Sequence, residues 1–332
     1  MWMNHKDTVY LEDGYIYEMN NLLHLPEGAV DAYLTTIQAI KEDSALLAQV
    51  MDCHEKIIQT EHYNEQEAKS IIDEAAAACG ISSGMLAVVV ILSGIPQMQA
   101  FYSNKGISEI VLADTLSDVR VWMEKYERQY GVWGLDETSW ILNHIRCKLF
   151  KIGRLQYMPK HWDQPFIVYR HNRSGELMIR SCDGEETDLY SLSGEWEMVL
   201  NPSSLVLDLH IQEGEPLTPE RCGQSLKDAA QFFSSLFPDR LYSGYVCSSW
   251  LLTPSFRNFL PPASNILQFN QRFQLLPAEG SDRQLFERVF GGRPDDANTA
   301  PRETKLQEII AQEWKKGTDL SHGAGFILPS SR

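Results

Sequence analysis

The chain has 332 residues, long enough for two domains that each bury a core, so its six cysteines (53, 79, 147, 182, 222 and 247) need not act as staples. They form no C-x-x-C pair and no His/Cys spacing that would close a tetrahedral site, so no metal is expected, and reduced thiols point to the cytoplasm. A formal charge of -16 repels nucleic-acid phosphates and anionic lipid, and the opening "MWMNHKDTVYLEDG" lacks the basic-then-apolar pattern of a secretory signal, so neither nucleic acid nor membrane is an expected partner.

From about residue 26 to 152 the pattern is helical. "NEQEAKSIIDEAAAACG" reads as a helix ending at Gly80, and Ser82 or Ser83 can cap a second helix through Leu92. The stretch from Ala75 to Gly94 carries no charge over a bilayer-spanning length, but its glycines and serines favour two helices packed in a soluble core. In "DTLSDVRVWMEKYERQYG", Leu116, Val119, Met123, Tyr126 and Tyr130 recur at spacings of three and four and form one apolar stripe. Asp114 or Thr115 can cap its start and Gly131 its end. A last helix is expected from near Asp136 through "ETSWILNHIRCKLFKIG" to Gly153. Trp122, Trp133 and Trp140 read as core, and His24, His54, His62 and His144 as core or solvated residues.

After Gly153 short strands alternate with turns: "RLQYM", "PFIVYRH", a turn at "NRSGE", "ELMIRS", a turn at "CDGEE", then "WEMVL", together an antiparallel meander. "SSLVLDLHI" is a strongly apolar strand, and "TPERCGQSLKDAAQFFSSLF" an amphipathic helix with Thr218 as cap and Pro219 in its first turn. "YSGYVCSSWLLTP" is a further strand, followed by broken helical segments in "PSFRNFLPPASNILQFNQRF". The tail offers a flexible "GGRPDDANTAPRE", a short helix through Trp314 and a last strand, "GAGFILP".

The runs "GISEIVLADTLSDVRVWMEKYERQYGVWGL", "WILNHIRCKLFKIGRLQY", "LHIQEGEPLTPERCGQSLKDAAQFFSSLFP" and "CSSWLLTPSFRNFLPPASNILQF", in that order, resemble a family of bacterial two-domain GNAT-like acyltransferases. The resemblance implies an α+β protein: an all-helical N-terminal domain over 1-152, then a GNAT-like mixed-sheet domain with flanking helices over 153-332. In that fold a central strand leads through a loop to a helix, and the next strand splays away to leave a cleft for the pantetheine arm of acyl-CoA. By position "LVLDLHI" is the central strand, "QEGEPL" the loop, "TPERCGQSLKDAAQFF" the helix and "YVCSSWLL" the splayed strand. Ile211, Gly214, Thr218, Ser248, Ser249 and Asn265 are then the implied cofactor contacts, with pyrophosphate at the helix N-terminus. The loop departs from the usual spaced glycines, because Gly214 stands alone between Glu213 and Glu215, which would repel a pyrophosphate unless they point away.

Asp208 and His210 lie two apart on a strand and share a face, so His210 can serve as the base for an attacking amine, or the pair can be a structurally satisfied strand end. Cys247 has three readings: a nucleophile in a Cys247-His210-Asp208 set, a lining residue of the acyl-CoA cleft, or a small buried hydrophobe. Asn265 is either a cofactor contact or a helix cap after "PPAS". Arg154 and Gln156 can reach the substrate cleft or bond the helical domain, and their place at the domain junction favours the second. No Walker A loop, dinucleotide fingerprint or G-x-S-x-G elbow occurs. The expected activity is transfer of an acyl group from acyl-CoA, acetyl-CoA first, to a small amine. A cysteine hydrolase or ping-pong transferase, and a non-catalytic binding module on the same fold, are the alternatives.

Overall fold

Runs of good helix formers, punctuated by Gly, Pro and Ser, build the first part of the chain. The computed structural model describes residues 8-60, 65-182, 194-277 and 280-329; His62 and all of the "CDGEE" turn but Cys182 lie outside the described residues. The chain divides into two units, Met1–Ile152 and Gly153–Arg332.

The first unit holds α1 (Asp13–Leu23), α2 (Glu27–Glu42), α3 (Ser44–His54), α4 (Glu65–Cys79), α5 (Ser83–Leu92), α6 (Ile95–Lys105), α7 (Glu109–Tyr130) and α8 (Thr138–Ile145). Its core is organised on α5, which is buried from Gly84 to Leu92 because α2, α3, α4 and α8 pack around it. A helix enclosed on every side needs no polar face, which explains the uncharged sequence there. The stretch Ser83–Lys105 is long and apolar enough to cross a membrane, but it is mostly buried and is broken after Leu92.

Two helix boundaries need correction, and two histidines prove to be core residues. The long helix starts at Glu109, not Asp114, because the Ser108 hydroxyl accepts a hydrogen bond from the Val111 N–H and caps it there. The last helix stops at Ile145, and Phe150–Ile152, at the end of the helical unit, forms a short strand, β1. Two histidines are partnered. His144 Nε2 lies 3.0 Å from Asp118 Oδ2, which also accepts from Trp140 Nε1 at 2.8 Å; His54 Nδ1 meets Ser93 Oγ at 2.7 Å.

The second unit contains β2 (Leu155–His161), β3 (Phe166–His171), β4 (Leu177–Ser181), β5 (Trp196–Leu200), β6 (Leu205–His210), α9 (Pro219–Leu236) and β7 (Tyr242–Ser249). It continues through α10 (Phe256–Phe259), α11 (Asn265–Asn270), β8 (Gln274–Leu275), α12 (Arg283–Phe290), α13 (Lys305–Lys315) and β9 (Gly323–Ile327). Within this unit the main sheet runs β2-β6-β7-β9-β8. The expected single meander is split: β2 pairs antiparallel with β6, while β3, β4 and β5 form a separate sheet of order β4-β3-β5. Val168 and Leu200 of the small sheet pack with Trp162 against Val206, Val246, Ala324 and Phe326 of the main one. The 291-303 stretch, expected to be flexible, is held by Arg293, which pairs with Asp282 and lies over the rings of Phe286 and Trp314, and it buries Ala297 and Ala300.

Candidate active site

β6 and β7 are parallel, and a parallel pair leaves the C-terminal ends of both strands at one edge of the sheet. Their pairing runs from Leu205 opposite Tyr242 to Asp208 opposite Val246 and goes no further. Beyond it, Cys247, Ser248 and Ser249 pair with Gly325, Ala324 and Gly323 of β9, while His210 sits opposite Gln156 of β2. The two strands therefore open into a wedge whose walls are residues 209-210 and 247-249. Side chains alternate, so the Asp208–Val246 register places Asp208, His210, Val246 and Ser248 on one face. Leu209, Cys247 and Ser249 take the other face, which α9 covers through Tyr157 Oη to Ser225 Oγ at 2.9 Å and Tyr245 Oη donating to the Leu226 carbonyl at 2.8 Å.

On the first face Asp208 Oδ2 lies 2.9 Å from Lys160 Nζ and 3.3 Å from His210 Nε2. Burial opposes the Asp208 charge, but His210 and Lys160 together outweigh it and hold the carboxyl below the ordinary aspartate range. Burial likewise pulls Lys160 down, and Asp208 and Asp163 more than restore it, leaving the ammonium above its usual value. His210 keeps 29% of its side chain exposed, so an acceptor can reach the imidazole while the carboxylate orients it. Lys160 escaped the sequence reading, because only the β2–β6 register, which sets it opposite Val206, brings it diagonally across from Asp208.

The loop from β6 to α9 is built by arginines. Arg154, almost fully buried, donates from Nη2 to the Glu215 carbonyl at 2.6 Å and from Nε to the Pro216 carbonyl at 3.2 Å, so it anchors this loop. Glu213 pairs with Arg288 at 3.2 Å and Glu215 with Arg221, so neither carboxylate stands uncompensated. Gly214 has a φ of +104°, which favours glycine and explains its presence without any ligand. Thr218 caps α9 by accepting from the Arg221 N–H at 3.4 Å, and Arg272 Nη2 donates to the Pro219 carbonyl at 2.5 Å. Arg154 Nη1 and Arg272 Nε are buried and make no hydrogen bond among the described residues. Buried donors without acceptors at a helix N-terminus suit an anion.

Residues 149-327 match the GNAT-like C-terminal domain family, and residues 15-147 match the N-acyltransferase N-terminal domain family. The chain belongs to the GNAT-like acyltransferase family. Solved structures agree in fold. A crystal structure of an acyltransferase in complex with decanoyl-CoA and teicoplanin is 22% identical, covers 94% of this chain and 87% of that one, and superposes with a TM-score of 0.71. A structure of an acyltransferase mutant in complex with octanoyl-CoA is 21% identical over the same shares, with a TM-score of 0.70. No curated protein matches the chain in sequence.

Within the GNAT-like domain the remaining expectations are separated by the wedge. Cys247 is fully buried on the face opposite His210, and burial, helped by the Asp208 charge, pushes its thiol well above the ordinary cysteine range. The structure therefore does not assemble a Cys247-His210-Asp208 set. Iodoacetamide at neutral pH is expected to alkylate exposed Cys182 and leave Cys247 unlabelled in the native protein; peptide mass mapping that finds Cys247 modified first would restore it as a nucleophile. Ser249 accepts from the Leu251 N–H at 3.2 Å and starts a short 3₁₀ turn, so its hydroxyl serves the chain. Ser248 is exposed and lines a small cavity of about 250 Å³ with Ser281, Gln284 and His322. Asn265 is an exposed first residue of α11; the cap is Ser264, which accepts from the Leu267 N–H. The asparagine that matters here is Asn270, which is fully buried. It donates to the Leu251 and Thr253 carbonyls at 3.1 Å each and accepts from Arg257 Nε at 2.8 Å, fixing the end of the splayed strand. Among the described residues no group of three His, Cys, Asp or Glu could hold a metal ion.

Proposed function

We propose that the protein transfers an acyl group from an acyl-CoA thioester to a small amine, with His210 as the base. The observation that carries this reading is the wedge between β6 and β7, which leads from His210 to the arginine-built N-terminus of α9. The pantetheine arm lies along the edge of β6 that β7 leaves unpaired, where backbone groups of Leu209 to Ile211 can bond its amides. The pyrophosphate meets the positive end of the α9 dipole, with Arg154 and Arg272 contributing their unpaired donors. The complexes of the solved relatives with octanoyl-CoA and decanoyl-CoA support the donor class. The acceptor nitrogen attacks the thioester carbonyl, His210 takes its proton, and the carbon–sulfur bond breaks to release the coenzyme A thiolate, which is protonated from water. Asp208 holds the imidazole in place. We place this activity in the cytoplasm, where the six free thiols stay reduced.

A thermal-shift titration with coenzyme A, acetyl-CoA and decanoyl-CoA tests the donor. A ligand at about 100 times its Kd is expected to add about 2.7 kcal/mol of stability, a clear upward shift of the melting curve. No shift with any of the three would rule out a coenzyme A site in the wedge.

A further inference from the structure

The apolar stripe of α7 leaves the core before the helix ends. Leu116, Val119 and Met123 are buried, but Tyr126 is half-buried and Tyr130 exposed, their rings 4.5 Å apart between centroids and tilted by 51°. They form one wall of a cleft of about 380 Å³ within the first unit, lined also by Lys69, Ile72, Asp73, Ala87, Leu135 and Asp136. That volume suits a small molecule.

The wall is built and rigid. A Cβ placed on Gly84 would stand 2.6 Å from the Tyr126 hydroxyl, and one on Gly134 would stand 2.6 Å from the Tyr126 ring. Each would also come within 3.2 Å of the other glycine's Cα, so two bare backbones touch and the tyrosine covers both. The Leu135 N–H bonds to the Gly84 carbonyl at 3.1 Å and locks this arrangement. Of the charges in the cleft, Lys69 is occupied by Asp73 at 2.5 Å. Asp136 makes no hydrogen bond or ion pair among the described residues, and it lies near enough to Tyr126 to add to burial in disfavouring ionisation of that phenol. A half-buried, unpaired carboxylate beside two tilted aromatic faces attracts a cation with an apolar body. An anion would meet Asp73 and Asp136 instead.

We propose that this cleft binds a small organic ammonium ion, with its cationic head against Asp136 and the faces of Tyr126 and Tyr130 and its hydrocarbon body along Ile72, Ala87 and Leu135. None of these residues belongs to the wedge, so the site stands whether or not the chain transfers acyl groups.

Isothermal titration of the full chain with phenethyltrimethylammonium, against the neutral analogue in which carbon replaces nitrogen, tests it. The cation is expected to bind at least about tenfold more tightly than the neutral analogue. Asp136→Asn, nearly isosteric, is expected to weaken the cation about tenfold, and Tyr130→Ala, which removes an exposed ring, several-fold. Equal affinity for the two analogues, no binding up to about 10 mM, or an unchanged affinity in Asp136→Asn would overturn the proposal. If either variant unfolds, the comparison of the two analogues on the unaltered chain decides alone.

Discussion

Replacing His210 by Gln is expected to lower the rate of acyl transfer by about 100- to 10,000-fold, the range that a positioned general base contributes. The side chain is partly exposed on the open face of β6, its ring contacts Asp208, and glutamine fills much the same space, so the melting temperature should stay close to that of the unaltered protein. On the proposed reading the rate loss should fall on the chemical step and leave the acyl-CoA titration unchanged, because the proposal puts His210 at the acceptor and the phosphate groups at α9. Steady-state rates and the titration, measured on the same variant, separate the two. An unaltered rate would remove His210 from the mechanism, and a lost titration would make it a binding residue. Asp208→Asn should have a smaller effect in the same direction, because it leaves the imidazole with an oriented but uncharged neighbour.

The second large effect is expected from Arg154→Met. Arg154 is buried and holds two carbonyls of the 211-218 loop, those of Glu215 and Pro216, and methionine can fill the volume but donate nothing. The two bonds are part-buried and Pro216 is exposed, so water replaces some of what is lost; at about 0.5 to 1.5 kcal/mol for each bond, a loss of about 1 to 3 kcal/mol is expected, read as a lower denaturant midpoint with an unchanged slope. Burial disfavours the charged form of Arg154, with Glu215 acting against it, so the site holds a cation at some expense to the fold. A buried charge kept at such a place fits a ligand that completes its hydrogen bonding. Coenzyme A affinity should accordingly fall about tenfold or more in this variant, as expected for losing a charged hydrogen bond. Loss of stability with full affinity would make Arg154 a scaffold residue only.

The sequence was a good guide wherever the cause was local. Thr218 and Pro219 start α9, Gly80 and Gly131 end α4 and α7, and the alternating "LVLDLH" became β6, because caps, left-handed glycines and period-two patterning act within a few residues. It misled where neighbours in space decide. Cys247 and His210 looked like partners on adjacent strands, but the register sets Asp208 opposite Val246, and a shift of one residue along a strand moves a side chain to the other face. Glu213 and Glu215 looked hostile to phosphate, but Arg288, 75 residues beyond Glu213, and Arg221, in the first turn of α9, neutralise them.

By itself, then, the sequence determined the order and type of most elements, the acidic surface, the absence of a cysteine-based metal spacing and the family to which the motifs belong. Those properties follow from residue type, short-range backbone preference and motif order. Only the tertiary structure decided that β6 and β7 part after Asp208, that Lys160 joins Asp208 and His210, that Arg154 holds the loop between β6 and α9, and that Tyr126 and Tyr130 leave the core to line a cleft beside Asp136. Each of these depends on pairing register or on backbones that meet across long separations, such as Gly84 with Gly134, and neither is written in the local pattern.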